Sequence, residues 1–195
     1  TNATIIGSKQ GEFIADRNNI VRVWMDHGAW PYLTTRLYMQ QTGDIEFLTE
    51  ENTYFKDAQI CRGEKHDDRW NDTRGNKQMT EDALPYQGTV LEHLLIQHLT
   101  SFYDVGEHNH IRLRGADWND GLDMAEERGE SVAFTALYAG NLKNLAEDIK
   151  DYSNKTGKDS VSIAKELLIL LEADSSTYDS IGEKNALLEA YCDEV

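Results

Sequence analysis

The sequence predicts an all-α protein built of helix hairpins, and three of its features carry that expectation. A wide apolar stripe, Leu91, Leu94, Leu95, His98, Leu99 and Phe102, repeats at helical spacing through GTVLEHLLIQHLTSFYDVG. A second stripe, Phe134, Tyr138, Leu142, Leu145 and Ile149, steps by three and four residues, which sets those side chains on one helix face. Further amphipathic segments follow, joined by loops of very different lengths, and no internal repeat is evident by residue identity.

Taken in order, Thr1 to Asn19 has sparse, unperiodic apolar residues and reads as a short strand or an extended lead-in. Pro31 suits a first helical turn, Tyr32, Thr35, Tyr38 and Met39 recur near helical spacing, and Gly43 is a stop, so a helix is expected over Pro31 to Thr42. Asp44 is expected to cap a short helix through about Thr49. Residues 63–82, GEKHDDRWNDTRGNKQMTED, alternate in charge with almost no core residues and read as a polar, solvated loop with mobility of its own. Pro85 closes it, and Thr89 lies near the start of the clearest helix, expected to be buried on one face. Ser131 or a neighbour starts the next helix, which Lys150 to Gly157 should break. Ser160 should open another with Ile163, Leu167, Leu170 and Leu171 inward, and Glu183 to Tyr191 looks like the beginning of one more.

A chain of 195 residues suffices for one domain with a sizeable core, and no boundary divides it convincingly, so residues 1–195 are taken as a single unit. The 19 Lys+Arg against 35 Asp+Glu leave a net charge of −16, which would repel a nucleic-acid backbone or an anionic membrane. No bilayer-spanning run or signal pattern is evident. Cys61 and Cys192 form no CxxC pair and read as thiols of a reduced compartment, with the cytoplasm as the default location.

The densest chemistry lies in ADWNDGLD, Ala116 to Asp123, where three acidic side chains, an indole and a glycine share eight residues between two helical segments. An apolar ring beside a carboxyl group raises its pKa by desolvating the charged form, which is how a general acid is made near neutral pH. The stretch fails as an EF-hand loop, because counting from Asp117 puts Gly121 at the fifth position and Leu122 at the sixth. His108-Asn109-His110 has no matching downstream Cys/His set and no HExxH exists, so no metal site is expected; His98 reads as a hydrogen-bonded core histidine. No G-x-S-x-G elbow, P-loop or G-x-G-x-x-G is present. Val21 to Trp30 holds Arg22, Trp24, Asp26, His27 and Trp30. Such a mixture suits a carbohydrate pocket, where flat rings face C–H surfaces and charged groups take hydroxyls. The residues alone favour the plainer reading, two core tryptophans and a turn or cap aspartate.

WMDHGAWPYLTTRLYMQQTGD, then GTVLEH, then RGADWNDGLDMAEERGESV, over about Val21 to Leu145, resembles the inverting glycoside phosphorylases of glycoside hydrolase family 94, the group that contains cellobiose phosphorylase. The resemblance implies that the chain is part of an (α/α)6 catalytic barrel and a fragment of a longer parent that forms a homodimer. It also implies Asp120 as the general acid, Trp118 lining the donor glucose site, and Asp26 as a donor-binding aspartate. An accompanying arginine falls on Arg22, with Arg17 as the other choice. The family's phosphate-binding residues lie beyond the acid, outside this chain, which is therefore expected to be inactive in isolation.

The chemistry so implied needs no cofactor. Asp120 would protonate the glycosidic oxygen of a β-linked gluco-oligosaccharide while inorganic phosphate, the co-substrate, attacks the anomeric carbon from the opposite face, giving α-D-glucose 1-phosphate. Two alternatives stand beside it. One is an inverting hydrolase in which a second carboxylate such as Asp26 or Glu92 activates water, the two carboxyls roughly 6.5–9.5 Å apart. The other is a non-catalytic carbohydrate-binding or assembly module.

Overall fold

A computed structural model describes residues 25–56, 58–60, 65–71, 73, 75–115, 119–125 and 127–195. The expected first helix is α1, Ala29–Thr42. Pro31 sits in its opening turn, where a missing N–H removes no intrahelical bond. Tyr32, Thr35 and Met39 face inward, and Gly43 ends the helix in the left-handed region (φ 77°) with its N–H on the Met39 carbonyl. A 3-10 helix, Ile45–Thr49, follows, but the Asp44 side chain does not cap it. Its carboxylate instead accepts from the Tyr38 hydroxyl at 2.9 Å.

Short strands interrupt the helices. β1 (Glu51–Thr53) pairs antiparallel with β4 (Gln87–Thr89) in the register Glu51 to Thr89, and β2 (Gln59–Ile60) pairs with β3 (Lys65–His66). The polar stretch is mostly exposed where it is described, yet it is also bonded. Gln78 N donates to the Tyr54 carbonyl (3.0 Å), Lys56 N to that of Asn76 (3.2 Å), and Lys56 meets Asp67 at 3.1 Å. Pieces of two and three residues are too short for an alternating pattern to announce them.

α2, Val90–Tyr103, is the central helix, with Thr89 as its N-cap accepting from Glu92 N at 3.1 Å. The expectation of one buried face is corrected here: His93, Gln97, His98, Thr100 and Ser101 are buried as well as the leucines. Several elements pack around it, namely α1, the 3-10 helix, α4 (Val132–Thr156) and α6 (Ile181–Glu194), so even its polar face lies inside. Among the described residues between α2 and α4, the one helical piece is the single turn α3, Asp120–Asp123.

Ser131 caps α4, accepting from Phe134 N at 3.2 Å, as its position in the sequence suggests. The break expected at Lys150 does not occur. The helix runs on to Thr156 because Tyr152 provides a further buried anchor, and it stops at Gly157 (φ 71°). The helix expected from Ser160 is also corrected. Ala164 is extended, its N–H held by the Glu92 carboxylate at 2.6 Å, so regular structure begins only with a 3-10 turn at Lys165–Leu167 and α5, Leu168–Leu171. Leu167 and Leu170 are buried, whereas Leu171 is 39% exposed rather than inward. α6 starts at its Ser180 cap and is longer than expected at both ends.

Among the described residues, three apolar clusters hold these elements. One joins α1, α2 and α4 through Tyr32, Met39, Leu91, Leu94 and Leu145. Another joins α2, α5 and α6 through Leu99, Tyr103, Leu170, Leu188 and Tyr191. The remaining one, Met25, Ala29, Ile111, Leu113 and Tyr138, lies under the residues of interest for chemistry. The architecture is all-α, with strands only as short excursions.

Candidate active site

The turn that carries the proposed acid hangs from a small extended frame. Past α2 the chain doubles back with bridges Val105 to Ile111 and Arg112 to Glu130. Arg112 N donates to the Asp104 carbonyl (3.0 Å), Leu113 N to that of Gly129 (2.8 Å) and Ser131 N to that of Ile111 (2.9 Å). Arg114 and Gly115 are bridged as well, and the chain is back on the frame at Gly129. Asn119 caps α3, its side-chain oxygen accepting from Gly121 N (3.1 Å) and Leu122 N (3.2 Å). Asp120 is the first residue of that turn.

Charged groups fasten the frame. The Asp104 carboxylate, 1% exposed, accepts from Arg114 Nε at 2.8 Å and Nη2 at 2.7 Å. Glu130 accepts from His110 N (3.0 Å), from His108 N (3.1 Å) and from His108 Nδ1 (2.9 Å). Burial opposes ionisation of Glu130, but the bonds from His108 and His110 outweigh it and hold the carboxyl below its usual 4.5. The His-Asn-His sequence thus serves the frame: His108 and His110 bind Glu130, and Asn109 accepts from Lys184 Nζ at 3.0 Å. Asp104, Arg114 and Glu130 were not singled out from sequence; Glu130 and Arg114 stand inside ERGES and RLRG, but nothing local marks them as partners of distant groups.

The second segment of interest is the turn before α1. Its backbone is fixed from inside: Tyr138 Oη donates to the Met25 carbonyl (2.5 Å), and Asn141 Nδ2 to the Ala29 carbonyl (3.4 Å). Asn141 Nδ2 also lies 3.1 Å from His98 Nε2, and His98 Nδ1 lies 2.7 Å from the Leu94 carbonyl. A carbonyl only accepts, so Nδ1 carries the proton and Nε2 accepts from Asn141. Burial lowers the His98 pKa to about 4, which keeps the ring in that neutral form. The expectation of a hydrogen-bonded core histidine holds.

Asp26 Oδ2 accepts from Trp30 Nε1 at 2.9 Å. Its Oδ1 is buried, and among the described residues no donor reaches it. The Trp30 indole is 49% exposed, so it is not the core anchor of the plainer reading. Beside it the His27 imidazole is lowered from 6.5, burial outweighing the opposing Asp26 carboxylate.

One apolar cluster brings the two segments together. Met25 and Ala29 of the Asp26 turn meet Ile111 and Leu113 of the frame, with Tyr138, Phe134 and Leu137 of α4 and Ala125 just beyond α3 packed on them. Glu92 is elsewhere and fully engaged: 1% exposed, it accepts from Tyr54 (2.6 Å), Tyr86 (3.0 and 3.1 Å) and Ala164 N (2.6 Å). Burial and then this carboxylate push both tyrosine pKa values up, so the hydroxyls remain donors. Arg17, Arg22, Trp24, Cys61 and Trp118 lie outside the described residues. Among the described residues no group of three His, Cys, Asp or Glu side chains could hold a metal, and no helix is long and apolar enough to cross a membrane.

Comparison with known proteins gives two findings. The family model described as "Glycosyl hydrolase 94 superfamily, catalytic domain" matches residues 68–182. Solabiose phosphorylase of Paenibacillus borealis is 27% identical over 150 residues, covering 76% of this chain. The chain spans about 15% of the length of that relative.

Proposed function

This chain belongs to the glycosyl hydrolase 94 superfamily, and on that footing we propose that it forms part of the catalytic barrel of an inverting glycoside phosphorylase. Asp120 is the general acid and donates its proton to the glycosidic oxygen. Inorganic phosphate, already an anion, attacks the anomeric carbon from the opposite face through an oxocarbenium-like transition state and needs no general base. The substrate is a β-linked gluco-oligosaccharide and the products are α-D-glucose 1-phosphate and the shortened sugar. Trp118, Asp26 and Arg22 bind the donor glucose.

The observation that carries this reading is the Asp26 carboxylate. One oxygen is held by Trp30, the other is buried with no donor among the described residues, and the turn packs on the same cluster as the turn bearing Asp120. A buried acceptor without a donor is costly, and a sugar hydroxyl is the donor it lacks. Glu92, one candidate for the base of a hydrolase, already accepts from Tyr54, Tyr86 and Ala164 N, which favours the phosphorylase over the hydrolase.

The test uses the protein that carries this chain. Release of glucose 1-phosphate from a panel of β-linked glucobioses is expected to require phosphate and to vanish in Asp120→Asn, while Asp26→Asn raises KM for the donor sugar. Free glucose formed without phosphate would put the hydrolase in its place.

A further inference from the structure

Arg114 is one of the last two bridged residues of the frame, with Gly115, before the turn that carries Asp120, and its backbone is left-handed (φ 53°). A long side chain gains nothing locally from that conformation, unlike Asn or Asp, whose short polar groups bond their own backbone there. Something outside the residue must hold it. That hold is visible in the guanidinium, which closes on the Asp104 carboxylate with two parallel bonds of 2.8 and 2.7 Å.

Asp104 is itself fixed at several points. It follows directly on the central helix α2, its N–H donates to the Ser101 carbonyl (3.3 Å), and its own carbonyl takes Arg112 N (3.0 Å). Arg112 Nε stands 3.7 Å from the same carboxylate and donates to the Val105 carbonyl at 2.9 Å. A buried ion pair adds little net stability over apolar groups of the same volume, because desolvation offsets the attraction. What a forked Arg–carboxylate pair does supply is a fixed angle and distance. Here those are imposed at the point where the chain departs for Asp120, with the returning strand clamped at Gly129.

We propose that Asp104 and Arg114 are a positioning pair, which holds the left-handed departure of the acid turn and so aims the Asp120 carboxyl at the leaving-group oxygen. This rests on Asp120 being the general acid. The pair acts by fixing the loop, and a displacement of the acid by about 1 Å is enough to cost two orders of magnitude in rate.

Arg114→Lys keeps both buried charges but loses the fork, so the protein still folds. Asp104→Glu keeps them too and displaces the fork by one methylene. Both variants are assayed in the protein that carries this chain, on the β-linked glucobiose it cleaves and on dinitrophenyl β-glucoside, whose leaving group departs without protonation, each with phosphate present. The expected result is a selective defect: kcat on the glucobiose falls about a hundredfold, KM stays within about threefold, and turnover of the dinitrophenyl glucoside is retained. Equal loss on both substrates would mean that the pair only supports the fold, and undiminished kcat on the glucobiose would mean that it does nothing for the acid; either overturns the inference. Wild-type protein that makes no glucose 1-phosphate from any substrate overturns the phosphorylase reading and this one together, whereas wild-type turnover with unimpaired variants overturns this one alone.

Discussion

At the scale of single residues, the buried carboxylates divide by what surrounds them. Glu92 accepts from two tyrosine hydroxyls and a backbone N–H, which makes it a structural acceptor that ties Tyr54 after β1, Tyr86 before β4 and helix α2 to the segment before α5. Glu92→Gln turns one acceptor into a donor facing donors and should destabilise the protein by about 3 kcal/mol in denaturant unfolding, with Tyr54→Phe costing about 1–2 kcal/mol. A loss below about 1 kcal/mol for Glu92→Gln would remove the network from the list of what holds the fold. The contrast with Asp26, one oxygen of which has no donor among the described residues, was not legible in the sequence. Glu92 reads there as the third residue of a capped helix, and nothing nearby names Tyr54 or Ala164, which lie 38 and 72 residues away, as its partners. His98 was legible, because a histidine on an apolar stripe must find acceptors and donors inside the protein.

At the scale of elements, helices with a cap and a stripe were readable and those without were not. Thr89 and Ser131 start their helices, and Gly43 ends its own, as capping chemistry predicts. The helix expected from Ser160 had apolar spacing, but a tertiary bond to Ala164 N overrides that local pattern. The frame under the acid turn had no readable pattern at all, being made of isolated bridges. Two glycines test the difference between a helix end and that frame. A methyl group at Gly129 would collide with the Ala125 carbonyl oxygen and stand 3.1 Å from Leu113 Cβ, whereas one at Gly157 would meet nothing within 4 Å. Gly157→Ala should cost about 1 kcal/mol for its left-handed φ and leave activity intact. Gly129→Ala should cost about 1–3 kcal/mol and, if Asp120 is the acid as proposed, lower kcat as well, because Ala125 beside the Asp120 turn must move to admit it. Thermal melts and steady-state kinetics on both variants separate the two effects; equal activity in the pair would show that the return at Gly129 does not matter for chemistry.

At the scale of the molecule, the fold carries buried imidazoles that resist protonation. Burial lowers His93 and His98 from 6.5 to about 4. Their contribution is complete above the unfolded value and is lost as pH falls from 6.5 towards 4, because over that window the unfolded chain binds protons that the folded one refuses. The melting temperature should therefore drop across that range, and His98→Gln should flatten the slope by on the order of 3 kcal/mol at its acid end; an unchanged slope would show that His98 titrates normally in the fold. The family resemblance rested on a few motifs of the sequence, whereas the packing of their turns on one cluster appears only in three dimensions, since Met25, Ile111 and Tyr138 share no local signal. That cluster makes α4 a ruler. Ser131 anchors the return of the acid turn at its first N–H groups, and Tyr138 and Asn141 anchor the Asp26 turn two and three turns further on. With about 1.5 Å of rise and about 100° of rotation per residue, one residue inserted between Ser131 and Tyr138 would both widen the gap between the two turns and swing them out of phase. If Asp26 holds the sugar and Asp120 protonates it, as proposed, the distance between the two acts is set by a whole number of helical residues, and a change of length in the first two turns of α4 should abolish turnover.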